Sequence, residues 1–90
     1  MTRFRAAGDA LAATLSDGAV LLNLRTKRYF SLNETGTRVW ELLVAGRTEE
    51  EIVRAMTQEY DVVEGEARRE TAQVIAALRD NELIVADDAK

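Results

Sequence analysis

The chain has 90 residues, 47% of them hydrophobic and 31% charged, which fits one folded domain with a modest core and excludes a disordered segment. Cysteine and histidine are both absent, which removes disulfides, thiolate and zinc sites and the usual nucleophile and base pairs, so no catalytic residue, metal or cofactor is expected. A formal charge of −4 argues against a chain whose main task is to grip phosphate backbones.

Met1 to Gly8 reads as a flexible tail. It lacks the apolar run of a signal peptide, and no stretch approaches the roughly 18 to 20 apolar residues of a membrane span, so a cytoplasmic protein with no membrane partner is expected. Leu11, Ala13 and Leu15 alternate with smaller or polar residues, and after Ser16-Asp17-Gly18 the alternation resumes at Val20, Leu22 and Leu24. A period of two predicts half-buried strands. Asp17-Gly18 signals a hairpin between them, with glycine supplying the positive φ of a tight turn. A weaker turn at Thr26-Lys27, with Lys27 left-handed, leads to a third strand over Arg28 to Leu32.

From Asn33 the period changes. Asn33 caps a helix over Glu34 to Ala45, with Val39, Trp40, Leu42 and Leu43 as its apolar stripe and Gly46 placed to end it. Thr48 and Glu51 form a capping box for a second helix, which buries Ile52, Val53, Met56 and Tyr60. A third helix spans Gly65 to Asp80. Ala67, Thr71, Val74 and Leu78 form its expected core stripe, and Arg68, Ala72, Ile75 and Arg79 a second stripe beside it. Asn81 is placed to close this helix in a left-handed conformation, Leu83 to Val85 return to pack or pair, and Ala86 to Lys90 read as a second tail.

The expected fold class is therefore α+β and winged-helix-like, a three-stranded antiparallel meander followed by three helices, in a single domain over 1–90. Fold order alone names no function. The residues do more. Asp17 to Leu24, the run Tyr29-Phe30-Ser31-Leu32-Asn33-Glu34-Thr35-Gly36 leading into Trp40, Thr48 to Val53, Tyr60-Asp61-Val62 and Glu82-Leu83-Ile84 together resemble the PqqD-like family of precursor peptide recognition elements. The likeness is greatest to the free-standing leader-binding proteins of lasso peptide biosynthesis. Two positions depart from the family pattern: Lys27 stands where the family often has glycine, and Glu70-Thr71 where it often has an acidic residue followed by an aliphatic one.

The resemblance implies a leader-peptide-binding protein that catalyses nothing. The leader would add a strand to the edge of the third strand, at Lys27, Arg28, Tyr29, Phe30, Ser31 and Leu32, against Arg68, Arg69, Ala72, Ile75, Ala76 and Arg79 of the third helix. It implies two partners, a precursor leader peptide and a maturation enzyme: a lasso leader peptidase, or a radical-SAM enzyme in a PqqD-type chaperone role. Ala72 and Ala76 would leave a shallow apolar trough around Ile75, and the arginines would join Arg25, Lys27 and Arg28 in a positive rim. Each residue also has a structural reading. Phe30 and Leu32 suit the core, Tyr29 a surface, Ile75 a broad buried helix face, and the arginines a solvated one. Two rival functions stay open: a winged-helix nucleic-acid binder, which the acidic balance opposes, and a subunit that docks on an enzyme without a peptide of its own.

Overall fold

The computed structural model describes residues 3–87. Its elements are β1 (Phe4–Ala6), β2 (Ala10–Leu15), β3 (Gly18–Asn23), β4 (Arg28–Asn33), α1 (Glu34–Val44), α2 (Glu49–Glu59), α3 (Glu64–Asp80) and β5 (Ile84–Ala86). β2, β3 and β4 form the expected antiparallel meander, and β1 pairs with β5 in a separate two-stranded sheet. Among the described residues no helix is long and apolar enough to cross a membrane.

The local signals place the helices. Asn33 ends β4 and caps α1 in one residue, accepting the Gly36 N–H at 2.8 Å, so strand and helix join without a linker. Gly46, at φ 91°, ends α1. Thr48 and Glu51 form the capping box, which holds the Glu51 carboxyl below its ordinary value, chiefly through the Thr48 backbone N–H. Trp40, Leu43, Ile52, Met56 and Leu78 meet in one apolar cluster with Leu21 and Leu32 from the sheet.

The structure corrects several expectations. The N-terminal tail is ordered from Arg3: Phe4 is buried, and Phe4, Arg5 and Ala6 pair with Ala86, Val85 and Ile84. The return of Leu83 to Val85 is thus a strand, and the second tail loses Ala86 to it, while 1–2 and 88–90 lie outside the described residues. In β3 the alternation is right but its sense is inverted, β2 is exposed from Leu11 to Leu15, and Phe30 and Leu32 of β4 turn inward as expected. The register sets Leu11, Leu22 and Tyr29 side by side, and Ala13, Val20 and Ser31 likewise, on a face turned away from the helices. Leu11 and Leu15 are 55% exposed and Tyr29 73%, whereas Ala19, Leu21, Asn23 and Leu32 are buried. β3 is apolar on both faces, so alternation alone does not name the inner one.

The hairpin turn also differs. Leu15 pairs with Gly18, which leaves Ser16-Asp17 as the loop, and Gly18 has no positive φ. Glycine is needed there for another reason: a Cβ would stand 2.3 Å from the Leu32 carbonyl oxygen of the neighbouring strand. At the end of α3 the left-handed residue is Glu82, at φ 56°, rather than Asn81. Lys27 is left-handed as expected, at φ 65°.

Within α3 the buried stripe is Ala67, Thr71, Ile75 and Leu78, with Val74 half-buried beside it. Thr71 is fully buried and its hydroxyl has no hydrogen-bond partner. Two substitutions test this packing. Leu78→Ala should lower stability by about 2 to 5 kcal/mol as a core truncation. Thr71→Val should raise it by about 1 kcal/mol, because it removes an unsatisfied buried hydroxyl at almost constant shape. Denaturant midpoints of the two variants check both.

Candidate functional site

One buried side chain aligns the sheet with the last helix. Asn23, 2% exposed at the end of β3, donates from Nδ2 to the carbonyl oxygens of Asn81 at 3.1 Å and Glu82 at 3.0 Å. Its Oδ1 accepts the backbone N–H of Arg25 at 2.9 Å and of Thr26 at 3.1 Å. The same amide thus shapes the β3–β4 turn and fixes it to the end of α3. Arg25 adds an ion pair with Glu82 at that point.

The far end of β4 is placed by other contacts. Glu34, directly after β4, shares a cleft with Gly18, Thr37 and Tyr60, and Tyr60 lies in the connection that leads into α3. Burial, and then the Glu34 carboxylate, push the Tyr60 phenol above its ordinary pKa. Arg38 of α1 bonds Glu59 at the end of α2 through Nε at 2.8 Å, which holds the Glu59 carboxyl below its usual range. β4 therefore begins beside the end of α3 and finishes near its start. The two elements run in opposite directions, with α1 packed against both.

The order β2-β3-β4 leaves β4 at an open edge among the described residues. Every second residue of such a strand turns its N–H and C=O outward, unpaired. Arg28, Tyr29 and Ser31 are exposed along it, Phe30 is half-buried against the core, and Leu32 is buried. Of the strand half of the expected site, Arg28 to Leu32 form one continuous edge and Lys27 lies in the turn before it.

The helix half is not brought to that edge. Arg68 is held by Glu50 of α2 and by Glu64, which together raise its pKa further above its ordinary value, Glu50 contributing most. Arg79 lies over the Phe4 ring of β1, 5.8 Å from its centroid. Both contacts show that the stripe of Arg68, Ala72, Ile75 and Arg79 looks toward α2 and β1. Ile75 is 6% exposed and belongs to the core, and Arg69, Ala72 and Ala76 are exposed. No trough forms around Ile75, and the positive rim does not assemble.

Helical spacing puts Glu66, Glu70, Val74, Ala77 and Asn81 on the opposite flank, each of them half-exposed. This flank ends at the Asn81 carbonyl that Asn23 holds. The sequence does not separate the two flanks because Val74 and Ile75 are both apolar, and only the neighbours decide which of the two faces inward. Asn81, four residues past Ala77, was the available sign.

The profile of coenzyme PQQ synthesis protein D, PqqD, matches residues 18–84. The chain belongs to the PqqD family. The match runs from the start of β3 to the start of β5, and so covers the meander's second and third strands and all three helices of this PqqD-family chain. Two solved structures resemble it across almost their whole length. "TbiB1 in Complex with the TbiA(beta) Leader Peptide" is 34% identical with a TM-score of 0.82, covering 96% of this chain and 98% of that one. "Lasso peptide synthetase B1 complexed with the leader peptide" is 28% identical with a TM-score of 0.84, covering 92% and 98%. No curated protein matches.

The Asn23 contacts yield a test. Asn23→Ala should cost about 2 kcal/mol, because it leaves buried donors and acceptors unpaired. It should also speed amide exchange at Arg25 and Thr26. A side chain that merely filled space would lower stability without moving those two amides.

Proposed function

We propose that this protein captures the leader segment of a ribosomally made precursor peptide and holds it for a separate maturation enzyme. The observation that carries the reading is the open β4 edge, facing a partly apolar helix flank, in a PqqD-family chain whose two structural neighbours hold leader peptides. An extended peptide added beside β4 completes the unpaired N–H and C=O groups from Arg28 to Leu32. Those backbone bonds supply affinity with little regard to sequence, and alternate side chains meet the groove and supply selectivity. On the inner side they face Phe30, Val74 and Ala77, and on the outer side they stand next to Tyr29 and Ser31.

The protein acts here by binding, with the chemistry left to its partner. The likeness to a lasso peptide synthetase component favours a leader peptidase as that partner over a radical-SAM enzyme. A nucleic-acid role has less support. The chain has a net charge of −4, and Arg25, Arg38 and Arg68 are already engaged by carboxylates.

The TbiA(beta) leader peptide, which the 34%-identical structure holds, is the natural probe. Its addition should slow amide exchange in β4, and protection confined to β2, the other open edge, would refute the assigned site. Ala77→Glu places a charge in the groove and should weaken binding by about 1 to 3 kcal/mol. Ala72→Glu, on the flank toward α2 and β1, should bind as the unaltered protein does. Calorimetric titration of both variants decides which flank of α3 faces the peptide.

A further inference from the structure

The groove beside β4 is electrically unequal at its two ends. Lys27 and Arg28 stand where β4 begins, both exposed and neither engaged in an ion pair among the described residues. Arg25, their neighbour, has its charge matched by Glu82. Glu66 and Glu70 stand on the α3 flank opposite the one turned to α2 and β1, also outside the ion pairs of the described residues. At about 1.5 Å of helix rise per residue they lie roughly 16 to 22 Å from Asn81 along α3. β4 covers about 17 Å from Arg28 to Asn33. Because strand and helix run in opposite directions, the carboxylates flank the far end of the strand, where Glu34 follows it.

Backbone pairing at a strand edge does not by itself choose register or direction. A peptide that slips by two residues, or enters reversed, still makes main-chain bonds. Charge at the two ends of a groove removes that freedom, since like charges brought together cost energy and opposite ones steer the encounter. We infer that the groove selects a leader by charge polarity: acidic residues where it passes Lys27 and Arg28, and basic residues where it passes Glu66 and Glu70. This rests on the leader-binding reading above and goes beyond it by naming the chemistry of the segment that binds. β4 runs from the basic end to the acidic end. A leader added antiparallel therefore carries its basic residues first and its acidic residues about five positions later.

A random twelve-residue peptide library, displayed on phage and selected on the full-length protein, tests this without a known leader. Enriched peptides should carry a basic and an acidic cluster in one fixed order. The paired reversals Lys27→Glu with Arg28→Glu and Glu66→Lys with Glu70→Lys should each erase the preference at their own end, and together they should invert the order. All four positions are at least partly exposed, and circular dichroism checks that each variant folds. Enriched peptides without charge order, or with an order that the reversals leave unchanged, overturn the inference. If such peptides still slow exchange in β4, the leader-binding reading stands alone; if they leave β4 untouched, both fall.

Discussion

The carboxamide of Asn23 is the contact on which the geometry of the site depends. Hydrophobic burial holds the sheet against the helices, but it is non-directional and sets no particular spacing between β4 and α3. Four directed hydrogen bonds from one buried side chain do set it, two of them closing the β3–β4 turn and two anchoring that turn to the end of α3. At the other end the strand becomes α1 at Asn33, with no residue between them. β4 is thus held at both ends by polar contacts while its outer edge stays unpaired. An edge kept open yet rigid has already lost the conformational freedom that ordering it on binding would cost.

An open edge is also a liability, because any extended chain can pair with it. The surroundings limit this in part. Arg28 and Lys27 put charge at one end of the strand, and Glu66 and Glu70 put the opposite charge along the far part of the groove. Three other arginines join elements: Arg38 ties α1 to α2, Arg68 ties α3 to α2, and Arg79 covers Phe4. Exposed ion pairs contribute little to stability individually. Their effect here is on the surface, since they tie neighbouring elements together, while Lys27 and Arg28 stay outside the ion pairs of the described residues at the turn that opens the groove.

Much of this could be read before any coordinates. The meander, the three helices, the Asn33 cap, the Thr48 and Glu51 box, the ending of α1 at Gly46 and the left-handed Lys27 all appear as expected. Each depends on residues within a few positions of one another, and capping, turn and periodicity signals act over that range. The strand that carries the proposed edge was legible for the same reason, since Arg28 to Leu32 is a local segment following a local turn.

What the sequence by itself left open is decided by distant partners. Phe4 becomes a strand only because Ala86 lies opposite it, and three residues are too few to show a period. β3 offers Ala19 and Leu21 on one face and Val20 and Leu22 on the other, and α1 settles the matter by packing on the first pair. α3 offers both Val74 and Ile75 to the core. The approach of α2 and β1 to one flank buries Ile75 and leaves Val74, with Glu70 and Ala77, half-exposed on the other. Sequence therefore determined the meander and the three helices, because local hydrogen bonds and periodicity act within a segment. Tertiary structure alone decided which faces meet, and with them the helix side of the groove, because that choice depends on which of two equally apolar faces the neighbouring elements cover.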